Sequence, residues 1–327
     1  MTHNSALPSS CQSGFAPIVM ISYNRPELVQ LSVRNVALAH GAANHDIFMF
    51  IDGPRCEEDV RKQDQINEIV CSFQGSLPKM KIIRREKNYG CRGNIVDAIT
   101  QVISQYGRAI IIEDDILVSR TFLDYMDEAL EFYKDSKQIW SINAYQHPNL
   151  RIPRDYPYDV YLNPVNMCWG WGTWADRWAQ VDFDLQDWHV MRDDPEMVAK
   201  LNRSGRHLHA LIDRQYLGEL KTWDVQCAYY VIKNGLMSIE PRYPLSKNIG
   251  FSHIVGGEHN KTEMPYLSRQ AYYNFRPKLI ADLGSDPRLI EQFEWVNYNR
   301  NIGVRIFRKL QRAMAYFKLR NIEPKEI

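Results

Sequence analysis

Over its first 145 residues the chain alternates short, β-branched apolar runs with longer stretches of helical periodicity. That alternation is accommodated by a parallel sheet covered with helices and by few other arrangements. Pro17–Ser22 (PIVMIS), Asp46–Asp52 (DIFMFID), Met80–Ile83 (MKII) and Ala109–Ile112 (AIII) read as strands buried on both faces, because their apolar residues run continuously instead of alternating. Between them, Pro26–His40 opens with proline at a first helical turn, while Glu57–Phe73 and Arg92–Tyr106 place apolar residues at helical spacing. The expected fold class is α/β, with a doubly wound, mostly parallel central sheet and a Rossmann-like first half.

Beyond residue 145 the pattern changes to proline- and aromatic-rich sequence, with Pro148, Pro153, Pro157 and Pro164 ahead of a tryptophan tract. Helical spacing returns at Asp224–Asn234, followed by a short apolar run at Met237–Ile239. Three parts are therefore expected: a ligand-binding half over 1–145, a second, catalytic half of the same domain over 146–265, and a helical extension over 266–327.

Charge is uninformative about a polyanionic partner: 40 basic residues stand against 39 acidic ones, and so no global field favours nucleic acid. The six cysteines are scattered without a C-x-x-C pair and read as structural thiols in a reducing compartment. No apolar segment approaches the roughly 18 residues of a membrane span. The opening residues lack a basic, then apolar, leader pattern, and the expected location is the cytoplasm.

Ligands of doubly wound sheets bind outside the carboxyl ends of the strands, which directs attention to Tyr23-Asn24-Arg25, to Asp52-Gly53 and to Glu113-Asp114-Asp115. Three adjacent carboxylates repel one another unless a cation or ligand hydroxyls relieve the repulsion. Mg²⁺ and Mn²⁺ take oxygen ligands and commonly combine one or two carboxylates with substrate phosphates. The alternative is a solvated acidic turn before the helical stretch Ser119–Tyr133. Asp224, which follows Trp223 at a helix start, fits either an N-cap or a general base near an incoming hydroxyl.

The tract Cys168–Trp178 (CWGWGTWADRW) sets Trp169, Trp171 and Trp174 around glycines. Aromatic faces stack on the apolar sides of sugar rings, and so the expectation is a sugar-binding wall, with core packing as the alternative. Gly256-Gly257-Glu258-His259 carries an imidazole on a glycine-rich loop, and His259, rather than His253, is the candidate additional metal ligand. Lys87–Asn94 (KNYGCRGN) has neither dinucleotide-binding nor P-loop spacing. Its Arg92 is either a phosphate or base contact near a helix start or a solvated side chain on a plain turn.

In order and spacing, Tyr23-Asn24-Arg25-Pro26, Asp52-Gly53, Asn88-Tyr89-Gly90, Glu113-Asp114-Asp115, Trp169–Trp174 and Trp223-Asp224 resemble the GT-A glycosyltransferases. The resemblance covers about Pro17 to Asn260, and the Glu-Asp-Asp form is similar to that of the N-acetylglucosaminyltransferase that begins complex N-glycan branching. It implies that Asp115 holds Mn²⁺ or Mg²⁺ on the diphosphate of a nucleotide-diphosphate sugar, with a lean towards UDP. It implies that Glu113 and Asp114 face ribose and donor sugar, and that Asp52 and Arg92 meet the base. Tyr23, Asn24, Arg25 and Asn88 complete the expected donor site. Trp223 joins the acceptor side, and Asp224 deprotonates the acceptor in an inverting transfer.

Those eukaryotic relatives begin with a signal anchor and a luminal stem. This chain looks more like a bacterial enzyme of surface-polysaccharide synthesis, acting on a saccharide or lipid-linked saccharide acceptor.

Asn301–Arg320 places Arg305, Arg308, Lys309, Arg312, Lys318 and Arg320 beside an apolar stripe of Val304, Phe307, Leu310, Met314 and Phe317. Such a helix either packs on its own domain or makes peripheral contact with an anionic membrane. Two rival functions stay open: a sugar-nucleotide nucleotidyltransferase, whose usual glycine- and lysine-rich first loop is not Tyr23-Asn24-Arg25-Pro26, and a carbohydrate-binding module without catalysis.

Overall fold

The computed structural model describes residues 14–250 and 272–296. His253, His259 and the basic stretch 301–320 lie outside the described residues.

The first half unrolls as β1 (Ile18–Ser22), α1 (Pro26–Leu38), β2 (Ile47–Ile51), α2 (Glu57–Ser72), β3 (Met80–Arg84), α3 (Gly90–Tyr106) and β4 (Arg108–Glu113). A short β5 (Ile116–Val118), α4 (Phe122–Phe132) and β6 (Ile139–Asn143) follow. The second half supplies β7 (Val160–Asn163), β8 (Trp171–Trp174), the single turns α5 (Ala175–Trp178) and α6 (Trp188–Met191), and the helices α7 (Pro195–Ser204), α8 (Leu208–Tyr216) and α9 (Asp224–Lys233). It closes with β9 (Met237–Pro241), β10 (Ser246–Asn248) and α10 (Pro287–Val296).

One eight-stranded sheet takes strands from both sides of residue 145, in the order β3-β2-β1-β4-β8-β6-β9-β7. The first four are mutually parallel. β8 enters antiparallel between β4 and β6, and β7 closes the edge antiparallel to β9. A separate antiparallel pair, β10 on β5, lies outside the main sheet.

The strands alternate between two apolar layers because successive side chains of an extended chain point to opposite faces. Ile18, Met20, Ile47, Met49, Ile51, Ile110 and Ile112 pack with Val29 and Val33 of α1, Ile66 and Val70 of α2 and the apolar side of α4. Val19, Ile21, Phe48, Phe50, Ala109 and Ile111 pack on the opposite face with Ile95, Ile99 and Val102 of α3 and with Cys227 and Val231 of α9. A doubly wound α/β sheet results, with all four parallel strands of the first half ending on one edge.

Gly53 fixes how that edge is closed. A Cβ at this position would lie 2.1 Å from the Lys87 carbonyl carbon, and so the loop before α3 crosses directly over the residue after Asp52.

Candidate active site

Two buried carboxylates organise the ends of β1, β2 and β3. Asp52 Oδ1 accepts the backbone N–H groups of Gly53 at 2.9 Å and Tyr89 at 2.8 Å, and Oδ2 accepts Asn88 Nδ2 and the Gly90 N–H, each at 2.9 Å. Both oxygens are therefore committed to the N-terminus of α3, where N–H groups without helical partners favour an anion. The expectation that Asp52 meets a base gives way to a positioning role.

Asp59, in the first turn of α2, accepts from the Tyr23 hydroxyl, from Asn24 Nδ2 at 2.7 Å and from the Arg55 N–H at 2.9 Å. The Tyr23 phenol is pushed up to about 12 by burial and by this carboxylate, while the hydroxyl's hydrogen bond holds the Asp59 carboxyl well below its ordinary range. Arg55 stacks over the Tyr23 ring at 5.1 Å and donates from Nε to Asn88 Oδ1 at 3.1 Å. Tyr23, Asn24 and Asn88 thus form one hydrogen-bonded rim, with Arg55 added to it.

Arg92 donates to the Phe183 carbonyl and to Asp184 at 2.8 Å. It ties α3 to the loop before α6 instead of standing free on a turn. Gln226 of α9 donates to the same Phe183 carbonyl at 3.2 Å, and so both helices are held through one backbone oxygen.

The acid triplet lies where β4 ends, next to β1 in the sheet centre. Asp114 accepts from Ser22 Oγ at 3.0 Å and is paired with Arg25, whose Nη1 also lies 3.4 Å from Asp115 Oδ2. Burial is the first cause that raises Asp114, to about 6, against the opposing Arg25 guanidinium and with Asp115 repelling it. Glu113 is raised well above its ordinary range by burial first, then by repulsion from Asp115, Asp114 and Asp224. One guanidinium faces three carboxylates, an arrangement that favours a further cation.

The stack of Trp223 on Trp171, whose partner in β4 is Ile111, sets the start of α9 near the end of β4. Asp224 opens that helix at its first position, and the N-cap is Trp223, which makes no side-chain cap bond. The Asp224 carboxylate accepts from the Thr222 hydroxyl and acts electrostatically on Glu113 and on the Cys168 thiol. A residue 111 positions beyond Glu113 in the chain is thereby brought to the acid triplet.

Asp115 is closed in from the other side by β10. The Ile249 N–H donates to the Asp115 carbonyl at 2.8 Å, and Asn248 Oδ1 accepts the Gly250 N–H at 2.7 Å. Among the described residues no cluster of three or more metal-ligating side chains is formed. Carboxylate oxygens are the donors that Mg²⁺ and Mn²⁺ take, and such ions commonly complete their shell with substrate phosphates, so one or two of these acids would suffice as protein ligands.

The tryptophan wall needs correction. Trp171, Trp174 and Trp223 are buried, and Trp171 stacks between Trp140 at 5.5 Å and Trp223 at 5.4 Å. Trp174 donates from Nε1 to the Leu130 carbonyl at 3.0 Å. These rings are core, because glycine spacing lets them interleave with the sheet. Trp169 alone of the four remains partly exposed, with its ring edge on Tyr145 at 4.5 Å and its carbonyl held by Ser246 Oγ at 2.6 Å.

Asp59 and Ser22 carry no signal in the sequence that marks them as site residues. The E-E-D run at the start of α2 reads only as acids at a helix N-terminus, and Ser22 reads only as the end of an apolar strand.

Among the described residues no helix is long and apolar enough to cross a membrane. No family model and no curated protein matches the sequence. Among solved structures the chain is similar to TarS 1–349 of S. aureus, with 12% identity over 72% of this chain and 61% of that chain and a TM-score of 0.41. It is also similar to the mannosyltransferase PcManGT from Pyrobaculum calidifontis in complex with GDP-Man and Mn²⁺, at 10% identity over 95% and 88% of the two chains and a TM-score of 0.43. A third is the galactosyltransferase LgtC in complex with donor and acceptor sugar analogs, at 9% identity, 88% and 99% coverage and a TM-score of 0.37. The chain spans from 30% to 61% of the length of the TarS chains that it matches.

Proposed function

We propose that the chain is an inverting glycosyltransferase that moves a sugar from a nucleoside-diphosphate donor to a saccharide hydroxyl. The observation that carries this reading is that Trp223, beside Asp224 at the start of α9, stacks on Trp171, whose strand partner Ile111 lies two residues before Glu113 on β4. In this reading the acid triplet receives a divalent cation together with the phosphates that the cation carries, and Asp224 takes a proton.

In this reading Asp115 would hold Mn²⁺ or Mg²⁺, and that ion would supply charge neutralisation for the departing diphosphate. Arg25 keeps Asp114 in place against its repulsion from Asp115, and the Tyr23-Asn24-Arg55-Asn88 rim, set by Asp59 and Asp52, receives the nucleotide. Asp224 takes the proton of the acceptor hydroxyl as its oxygen bonds to the anomeric carbon. The bond from that carbon to the diphosphate oxygen breaks on the opposite face, which inverts the configuration. Trp169, partly exposed and held through its carbonyl by Ser246 of β10, offers its ring to the acceptor sugar.

Residues 1–145 then serve the donor and 146–265 the acceptor. An additional metal contact from His259, and peripheral membrane contact of 301–320 during transfer to a lipid-linked saccharide in bacterial surface-polysaccharide synthesis at the inner membrane face, belong to the same proposal.

Thermal shift with UDP, GDP, CDP and dTDP, each with Mn²⁺, with Mg²⁺ or with chelator, tests it, because a ligand of the folded state raises the melting temperature. The expected result is metal-dependent stabilisation by one nucleotide, lost in Asp115→Asn. Absence of any shift in well-folded protein would transfer the reading to a carbohydrate-binding module.

A further inference from the structure

Asp224 is the residue on which transfer chemistry depends in the proposed function, and its orientation has a visible source. Thr222 donates its hydroxyl to Asp224 Oδ1. The backbone N–H of Thr222 is itself held by Gln215 Oε1 at 3.2 Å, and Gln215 is buried in the last turn of α8. Trp223, between the two residues, is fixed in the core by its stack on Trp171. Gln226, in the first turn of the same helix, is anchored on the Phe183 carbonyl.

Thr222 and Asp224 are both partly exposed, while Trp223 and Val225 beside them are buried. The chain path is thus set by interior groups, and the exposed hydroxyl and carboxylate are turned to each other. A threonine side chain is stiff at χ1, and so its hydroxyl stays near one direction. The bond engages Oδ1 and leaves Oδ2 as the oxygen available to a hydroxyl proton.

We propose that Thr222 is a positioning residue, one that holds the Asp224 carboxylate in the plane required for proton abstraction. This rests on the reading of Asp224 as the base. A purely structural role for the same bond would appear as lost stability without a selective effect on turnover.

The test compares the full-length protein with Thr222→Val, Thr222→Ser, Asp224→Asn and the Thr222→Val/Asp224→Asn double variant. Nucleoside-diphosphate release from UDP-sugars and from GDP-mannose gives kcat and KM, and melting temperature controls for folding. Thr222→Val keeps nearly the same shape without the hydroxyl. It should lower kcat by roughly 10- to 100-fold, a part of the roughly 10²- to 10⁴-fold that general-base catalysis contributes, and leave donor KM within about twofold. Thr222→Ser should restore most of the rate, and the double variant should be no slower than Asp224→Asn alone.

Parent-like kcat in Thr222→Val beside an inactive Asp224→Asn overturns the positioning role and leaves the base assignment standing. Unimpaired turnover in Asp224→Asn overturns the base assignment and the role of Thr222 with it. A loss in Thr222→Val that serine does not restore, or that persists in the Asp224→Asn background, places Thr222 in the fold alone.

Discussion

Gly250 stands against Asp115 so closely that a Cβ on residue 250 would lie 2.4 Å from Asp115 Oδ2. The backbone at this point is held by the Ile249 bond to the Asp115 carbonyl, and so the chain cannot easily retreat. An added methyl must turn the carboxylate away instead. Gly250→Ala is therefore expected to weaken Mn²⁺-dependent nucleotide binding by about tenfold or more, as one misdirected charged ligand costs on the order of 1.4 kcal/mol or above. Nucleotide-free melting should change little. Titration of the nucleotide by thermal shift, with and without Mn²⁺, checks both halves of this expectation.

Asp59 sets three groups of the rim proposed to receive the nucleotide, and its replacement should be felt as binding before it is felt as fold. Asp59→Ala should raise the nucleotide dissociation constant several-fold while leaving Asp115-dependent metal selectivity intact. The pH sign follows from its depressed titration, whose first cause is the Tyr23 hydroxyl bond. A carboxyl held below its unfolded value adds stability above an unfolded pKa of about 3.9, and that addition is lost as pH falls through the folded value. The stability gap between the parent and Asp59→Asn should accordingly shrink below about pH 4. Denaturant midpoints across pH 3 to 7 would show a constant gap if Asp59 made no such contribution.

Glu240 titrates in the opposite sense. It is buried in β9, where it accepts from the Tyr161 hydroxyl, from Asn163 Nδ2 at 2.6 Å and from Asn143 Nδ2 at 3.5 Å. Burial is the first cause that raises it, to about 7, with the three donors opposing. A carboxyl raised in the folded state stabilises fully below its unfolded value, and this contribution is lost as pH rises through the folded value. Between about pH 4.5 and 8 the loss approaches about 3 kcal/mol for a shift of this size. Glu240→Gln removes the titration, so its stability relative to the parent should improve from pH 5 to pH 8. A difference that stays flat across that interval would show that Glu240 keeps its ordinary titration.

The parallel half was legible because its strands are buried on both faces and hence continuously apolar. The Pro17–Ser22 and Asp46–Asp52 runs differ from β1 and β2 only by end residues. The α2 and α3 stretches likewise differ only at their ends. β8 was not legible. Its sequence, WGTW, has no aliphatic run, and its place between β4 and β6 depends on contacts with strands far away in the chain. The acid triplet and Asp224 could be read from residue type and position. The hubs at Asp52 and Asp59 could not, because their partners come from three separate loops and hydrogen bonds of that range leave no periodic mark. Glycine between tryptophans pointed to an open wall, whereas the structure uses that spacing to bury them.

Trp169 and Trp171, two residues apart, should therefore respond in opposite ways. Trp171 is fully buried and flanked by the rings of Trp140 and Trp223, and its removal leaves a cavity that the sheet cannot close. Trp171→Ala should cost about 3–5 kcal/mol, the usual range for deleting a large core aromatic, and should lower expression or melting temperature before any assay of turnover is meaningful. Trp169 is partly exposed, and its backbone is secured independently by the Ser246 bond to its carbonyl. Trp169→Ala should leave most of the stability in place and instead raise the acceptor concentration needed for half-maximal rate, since stacking on a sugar face contributes about 1 kcal/mol. Melting curves of both variants, followed by acceptor titration of Trp169→Ala at saturating donor, separate the two roles. Equal destabilisation by the two substitutions would place Trp169 in the core with its neighbour and leave the acceptor without that ring.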